Sequence, residues 1–234
     1  MTASSSSPAS PAAHASPASR SSRDTILARV RDALAPIAER AAYPEFPDDV
    51  AVSPAIASAL TGPDADLWRA FSERAKLVHG TPLAGGPAAL AAWLREKKLT
   101  HGYCDPVLLA QFAPALTAPP PGAEPITLET TFDRTRVDDY QFGITRALAA
   151  IAETGSLVLG DLTTSSRLAA LAPWVHIATL TRAQLHATVT DAIAAFPDDP
   201  NLIWCTGPSR TADVEGILIE GVHGPGEQIA LLMD

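Results

Sequence analysis

The sequence contains very little cysteine. Cys104 and Cys205 are its two cysteines in 234 residues, whereas an iron–sulfur cluster is usually held by four thiolates and a cysteine-based zinc site also needs several. Two cysteines this far apart do not form the framework of a small secreted disulfide protein either. We therefore expect no metal or other cofactor to be bound by this chain. The electrons of any redox process that it serves would travel in another polypeptide.

Long apolar runs and positive charge are also scarce. No run approaches the roughly 20 apolar residues of a membrane-spanning helix, and the N-terminus lacks the hydrophobic segment of a secretory signal. The net charge is -9, and residues 161–234 hold nine carboxylates against three arginines. Such a surface repels the phosphates of nucleic acids and of anionic lipids. We expect no nucleic-acid partner, no membrane span and a cytoplasmic location.

The composition is otherwise that of a globular protein, with 47% hydrophobic residues. Three segments are predicted. Residues 1–22 form a low-complexity Ser/Ala/Pro tail that is expected to be disordered. Residues 23–62 form an N-terminal helix and an extended, proline-rich arm, and residues 63–234 form an α/β domain.

Within that domain, predicted helices alternate with short apolar strands. The strands are expected at 156–159, 175–180, 201–205 and 228–232. A helix is expected before the first of these strands, with Thr145 as its N-cap and Gly155 just past its end. A second helix begins at a capping box at Thr181 and continues to Phe196. This alternation predicts a mostly parallel sheet with helices on both faces.

The stretch 201–225 carries the first candidate site. An apolar run ends at Gly207 and is followed by Ser209, Arg210 and Thr211. Glycine permits a tight turn, hydroxyl and backbone N–H groups line anion sites, and arginine presents a bidentate fork to a carboxylate. Ligands of open α/β sheets gather outside the carboxyl ends of the strands. These residues are therefore candidates for anion binding, although a plain structural loop has the same pattern.

Five further residues are candidates, each with a structural alternative. Asp213 and Glu215 are paired carboxylates suited to acid–base work, or they complement a helix dipole. Glu153 lies at a predicted helix end that disfavours a carboxylate, which indicates either a functional role or a salt bridge. His176 lies in an apolar strand and is either a ligand contact or a core residue. His223, in a glycine-rich turn, is the last candidate; the histidines lack metal-site spacing.

Three stretches together resemble the LUD-domain family, the LutC-like (YkgG) lactate utilization proteins. They are GITRALAAIAETGSLVL at 143–159, PWVHIATLTRAQL at 173–185 and GPSRTADVEGILIEGVHGP at 207–225. The resemblance implies a Rossmann-like fold similar to the NagB/RpiA/CoA-transferase group. It also implies a role in oxidising L-lactate to pyruvate with two iron–sulfur partner proteins. The motif residues carried over are Glu153, Thr154, Gly155, His176, Gly207, Ser209, Arg210, Thr211, Asp213, Glu215, His223 and Gly224.

The preferred hypothesis is a non-redox subunit of a lactate-oxidising system that binds a small carboxylate. In it Glu153, Glu215 and His223 are the catalytic candidates, and the other motif side chains bind the anion. One alternative is a free-standing enzyme of the CoA-transferase or sugar-phosphate isomerase kind, with Glu153 or Glu215 as base or nucleophile. Another is a regulatory or assembly module that binds a small acid without changing it.

Overall fold

The protein divides into two compact units, Met1–Pro47 and Asp48–Asp234. The computed structural model describes residues 22–36, 60, 65–118, 121–122, 124–199, 201–212 and 217–234. In the first unit it describes helix α1 (Ser22–Leu34), with Asp24 in its first turn and Arg31 in its last, as the helix dipole favours. The predicted tail and most of the predicted arm lie outside the described residues, so the predicted segment boundaries stay predictions.

The second unit is built from alternating strands and helices. Its strands are β1 (Thr81–Ala84), β2 (His101–Cys104), β3 (Thr127–Glu129), β4 (Phe142–Arg146), β5 (Ala149–Ile151), β6 (Ser156–Gly160), β7 (Val175–Leu180), β8 (Leu185–His186), β9 (Leu202–Cys205), β10 (Arg210–Ala212), β11 (Leu218–Glu220) and β12 (Glu227–Leu232). Its α-helices are α2 (Leu67–Leu77), α3 (Gly86–Glu96), α4 (Leu109–Leu116), α5 (Arg167–Leu171) and α6 (Val189–Ala195). Two 3-10 helices cover Arg134–Asp139 and Arg182–Gln184.

A six-stranded parallel sheet forms the centre of the unit, with the strand order β1-β12-β7-β4-β2-β3. Every neighbouring pair in it is parallel. Every residue of β7 is buried, and β4 and β12 are buried at all but one position. Strands buried on both faces are typical of parallel sheets. The predicted α/β fold with a mostly parallel sheet is thus confirmed.

Helices α3 and α4 cover the first face of this sheet. Leu90 and Leu94 of α3 and Phe112 of α4 pack against Ile144 and Ile177, and all five side chains are fully buried. Fully burying one such side chain stabilises the folded state by about 1.5–3 kcal/mol. This layer is the larger apolar core of the unit.

The second face is covered by α2, by α5 and by a second, four-stranded sheet. That sheet has the order β8-β5-β6-β9, and β6 runs antiparallel to both of its neighbours. Phe71 and Ala75 of α2 pack with Ala178, Leu180 and residues of the second sheet. The second face therefore carries helices, as predicted, together with a sheet that was not expected.

The helix predicted from Thr145 to Gly155 is wrong. The segment forms β4 and β5, and Thr145 lies inside β4 rather than at an N-cap. Residues 142–145 and 147 are buried, and so are 149–152. A strand buried on both faces shows no alternation, and periodicity cannot distinguish it from a short buried helix.

The helix predicted from Thr181 to Phe196 is correct only in part. The capping box of Thr181 and Gln184 forms, but it starts a single 3-10 turn, Arg182–Gln184. Strand β8 follows, and α6 begins at a second capping box formed by Thr188 and Asp191.

In the described residues, no helix is both long enough and apolar enough to cross a membrane.

Candidate functional site

A cavity of about 190 Å³ lies between the second face of the parallel sheet and the loop that follows β9. We call it the His176 cavity. Five predicted site residues from separate parts of the chain line it: His176, Gly207, Ser209, His223 and Gly224. The structure therefore brings together residues that were selected individually from sequence motifs.

The position of this cavity differs from the predicted one. Its loop follows the carboxyl end of β9, but β9 is an edge strand of the smaller sheet. In the parallel sheet, the cavity lies against the amino ends of β7 and β12, where His176 and Gln228 are register partners. Trp204 of β9 is partly exposed, so this strand is less buried than expected.

His176 is the most deeply buried polar side chain that lines the cavity, with 1% of its surface exposed. Its Nε2 atom lies 3.0 Å from Thr145 Oγ1. Burial lowers the pKa of His176 to about 4, so the ring is neutral near pH 7. Its Nδ1 atom is buried and has no hydrogen-bond partner among the described residues. An unsatisfied buried polar atom costs about 1–3 kcal/mol, which a ligand with a complementary group would recover.

Ser209 connects the two loops that form the cavity wall. Its backbone N–H donates to Pro225 O at 2.8 Å, and its carbonyl accepts from Gly221 N at 2.9 Å. Its Oγ accepts from the backbone N–H of His223 at 3.2 Å. Because the hydroxyl oxygen acts as an acceptor there, its own proton stays available for a ligand.

Two predicted glycines hold this region against α2. Gly207 has a φ of +76°, and a Cβ on it would overlap the carbonyl oxygen of Val78, which follows α2. Gly155 has a φ of +69°, and a Cβ there would overlap the backbone of Ala75. A left-handed φ and a close backbone approach both require glycine. These residues are therefore needed for the loop geometry itself.

A chain of hydroxyl groups connects Thr154 with the cavity. Thr154 Oγ1 lies 2.7 Å from Ser156 Oγ, which lies 2.7 Å from Thr206 Oγ1. Thr206 lines the cavity, as does Gln228. Ser156, Thr206 and Gln228 were not among the site residues predicted from the sequence. Hydroxyl residues at the ends of β6 and β9 were the available signal for the first two.

The remaining predicted residues lie elsewhere. Glu153 is not at a helix C-terminus: it follows β5, and its Oε2 accepts from Val189 N, in the first turn of α6, at 3.1 Å. A carboxylate at a helix N-terminus is favourable, so this contact is a structural one. Arg210 and Thr211 lie in β10, and Arg210 Nε is 3.2 Å from Glu220 Oε1. Asp213 and Glu215 lie outside the described residues.

The two cysteines are poor nucleophiles. Cys205 lines the cavity, and burial raises the pKa of its thiol to about 11, partly offset by a hydrogen bond with Gln228. Burial likewise raises the pKa of Cys104 to about 12. Since the thiolate is the reactive form, neither is poised for attack near pH 7. Within the described ranges, no group of three or more His, Cys, Asp or Glu side chains is arranged to hold a metal ion.

The fold and the cavity define an α/β protein whose parallel sheet carries a small pocket lined by polar and apolar side chains, among them the buried, neutral His176. A family model of the LUD domain matches residues 108–233. This is more than half of the chain, and the chain therefore belongs to the LUD-domain family. The resemblance identified from the three sequence stretches is confirmed. The parallel sheet includes β1 and β2, which precede the matched residues.

Curated relatives carry the name lactate utilization protein C. The protein from Deinococcus radiodurans is 31% identical over 118 residues, which cover 48% of this chain and 54% of that protein. The protein from Geobacillus thermodenitrificans is 27% identical over 180 residues, or 68% and 75% of the two chains. The Exiguobacterium protein is 38% identical over 91 residues, or 36% and 40%. This chain thus spans about half the length of the Deinococcus relative and less of the Exiguobacterium one.

A solved structure also matches. It is the crystal structure of a DUF162 family protein from Deinococcus radiodurans, with a TM-score of 0.47 and 18% sequence identity. The match covers 72% of this chain and 96% of that one.

Proposed function

We propose that this chain is a component of the oxidation of L-lactate to pyruvate, that it has no redox cofactor of its own, and that it works with iron–sulfur proteins. The names of its relatives support a role in lactate utilization. The presence of only two cysteines in the sequence supports electron transfer in other polypeptides. In this proposal the His176 cavity binds a small carboxylate.

The observation that carries the proposal is that one cavity is lined both by His176, whose Nδ1 atom has no partner among the described residues, and by Ser209. Lactate has a carboxylate next to a hydroxyl group. The Ser209 hydroxyl can donate to a carboxylate oxygen, and a ring nitrogen of neutral His176 can bond with the ligand hydroxyl. His223, at the exposed rim of the cavity, is the remaining catalytic candidate there. Glu153 contacts the first turn of α6 and does not line the cavity, so the proposal gives it no role there.

Exposed apolar side chains near the cavity support a protein partner. Trp204 lines the cavity and is 37% exposed, and the ring of Trp174 lies over Gly221 and Gly226. Clustered exposed apolar groups on a globular protein mark interaction surfaces. The exposed large apolar residues of this region are Trp174, Trp204, Ile217, Leu218, Ile219 and Val222.

Growth and co-purification test this function. Deleting the gene should abolish growth on L-lactate and leave growth on glucose unchanged. A tagged chain from lactate-grown cells should co-purify with brown, iron-containing proteins that reduce an acceptor dye when L-lactate is added. Normal growth of the deletion strain on L-lactate, with no close gene copy present, would refute the proposal.

A single-atom change tests the cavity. Ser209→Ala removes a donor to a charged group, which is worth about 1.5–3 kcal/mol, so lactate-dependent dye reduction at limiting lactate should fall about tenfold or more. Ser72→Ala is the matched control, because Ser72 Oγ is buried without a partner among the described residues and lies outside the cavity. Equal activity of the two variants would show that the cavity does not bind the acid.

A further inference from the structure

A second cavity, of about 210 Å³, lies at the carboxyl ends of the strands of the parallel sheet, opposite the His176 cavity. We call it the Arg146 cavity. Arg146 ends β4, Thr179 and Leu180 end β7, and Met233 follows β12, so three adjacent strands present their carboxyl ends to it. It shares no lining residue with the His176 cavity. The carboxyl ends of parallel strands are where open α/β sheets bind ligands.

A buried carboxylate, that of Asp105, fixes the guanidinium of Arg146 through a hydrogen bond. Arg146 Nε donates to Asp105 Oδ2 at 2.8 Å, and the side chain of Asp105 is fully buried. Asp105 Oδ1 accepts from the backbone N–H of Val107 at 2.9 Å, which fixes the carboxylate in turn. The hydrogen bonds from Arg146 to described residues use Nε alone, so Nη1 and Nη2 keep their donors.

Two polar side chains beside Arg146, those of Thr179 and Gln184, are already paired. Thr179 Oγ1 donates to Thr145 O at 3.3 Å. Gln184 accepts from Thr181 N at 2.8 Å through Oε1 and donates to Ala147 O at 2.7 Å through Nε2. Among the described lining residues Gln111 and Thr163 also carry side-chain donors, but the guanidinium is the one charged donor group in this cavity.

The charge of the cavity sets the class of ligand. Arg146 is the one charged residue lining it in the described part of the chain. Asp105 offsets part of the positive charge of Arg146. A single negative charge spread over two coplanar oxygens matches the two free terminal nitrogens. A phosphate dianion would need further cationic groups that the lining lacks.

We propose that the Arg146 cavity binds the carboxylate of a small organic acid, with Nη1 and Nη2 donating to its two oxygens. Asp105 is a positioning residue that sets the orientation of the guanidinium. The proposal does not depend on the His176 cavity or on a role in lactate oxidation. The chain then has two separate small-acid sites, one at each end of β7.

Amide NMR of the full-length chain locates the ligand. Titration with pyruvate should cause saturable shifts at residues 146–147, 163 and 179–181. No saturable shift there, including shifts confined to residues 205–209 and 223–228, would overturn the proposal. Inorganic phosphate is the second probe, and phosphate that binds as tightly as pyruvate would overturn the carboxylate assignment.

Arg146→Lys tests the fork, because it keeps a cation opposite Asp105 but loses the planar pair of donors. The Kd for pyruvate should rise at least about tenfold. Arg167→Lys is the matched control: Arg167 Nε lies 3.0 Å from Asp161 Oδ1, and Arg167 lines neither cavity. Its Kd should stay unchanged, and equal affinities of the two variants would contradict the proposal.

A measurement on the unchanged chain covers the case in which Arg146→Lys does not fold. The Nη signals of Arg146 in 15N-labelled protein should shift when pyruvate is added, and unchanged signals would refute the contact. These results stand apart from the lactate function. A deletion strain that grows normally on L-lactate refutes that function and leaves the NMR result in place.

Discussion

Replacing Gly207 with alanine tests how firmly the loop after β9 is held against α2. Gly207 has a φ of +76°, and its added Cβ would overlap Val78 O. Val78 is itself fixed, because its N–H donates to Arg74 O and Ala75 O, both at 3.2 Å. The carbonyl therefore cannot move away without disturbing the end of α2.

Two costs add up at this position. A left-handed backbone costs a non-glycine residue about 1–2 kcal/mol. Forcing an extra carbon into a filled space costs about 1–3 kcal/mol more. The expected loss of unfolding free energy is thus about 2–5 kcal/mol, a large part of the 5–15 kcal/mol typical of a folded protein.

Gly122→Ala is the matched control. Gly122 also has a positive φ, +86°, but a Cβ on it would meet no atom of the described residues within 4 Å. It pays the backbone cost alone, and the effect of alanine on the unfolded chain is the same in both variants. The difference between them isolates the contact between Gly207 and Val78.

Urea denaturation followed by circular dichroism measures both variants. The midpoint should fall further for Gly207→Ala than for Gly122→Ala, with a similar slope. Gly207→Ala should also weaken acid binding in the His176 cavity, because it displaces the loop that carries Ser209. Equal losses of stability in the two variants would refute the close approach of this loop to α2.

Two further predictions concern pH. The pKa of His176 is about 4 in the folded protein, below its ordinary value of 6.5. Between pH 4 and pH 6.5 the unfolded chain therefore binds more protons than the folded one. The free energy of unfolding should accordingly fall by up to about 3 kcal/mol from pH 6.5 to pH 4. His176→Gln should remove this dependence, and an NMR pKa for His176 near 6.5 would contradict it. Glu129 accepts hydrogen bonds from Tyr140, His101 and Arg136, which together lower its pKa to about 2. The contribution of the ionised Glu129 to the free energy of unfolding should therefore be present above pH 4.5 and lost as the pH falls toward 2. Glu129→Gln should lower the free energy of unfolding by about 1–2 kcal/mol at pH 7, because the ion pair of Glu129 with Arg136 is partly solvated. The control is Glu73→Gln, which removes an exposed ion pair 3.9 Å long with Arg69 and should change the free energy of unfolding by less than about 0.5 kcal/mol. Equal effects in urea denaturation would contradict the Glu129 assignment.

The sequence predicted several strands closely because their signals are local. The apolar runs at β6, β7 and β12 are bounded by turn residues, and the structure places these strands within one residue of the predicted bounds. The predicted capping box at Thr181 also forms, since a capping box needs only four consecutive residues.

The second sheet was missed because its signals are not local. Strand β5 has three residues, all buried, and it is paired with β6 and β8. A short alanine-rich segment of this kind matches a helix as well as a strand, and only tertiary pairing decides between them. The misplacement of Glu153 follows directly, because its predicted position depended on a helix that does not form.

Part of the candidate site could also be predicted, and the reason is chemical. His176, Ser209 and His223 were selected as polar residues in apolar or glycine-rich surroundings, and the structure places all three around one cavity. Gln228 was missed because it is the first residue of the predicted strand, and only the register of β12 against β7 places it next to His176. The Arg146 cavity was missed as well, since it exists only where the carboxyl ends of separate strands meet.

The two cavities are connected through one residue, which constrains how ligand binding is interpreted. Thr145 Oγ1 contacts His176 in the first cavity, and its carbonyl accepts from Thr179, which lines the second. The next residue along β4 is Arg146. From His176 to Leu180 the distance along β7 is about 13 Å, at about 3.3 Å per residue. Thr145 therefore contacts a lining residue of each cavity, and an acid that binds at one of them has to be located by residue rather than by affinity alone.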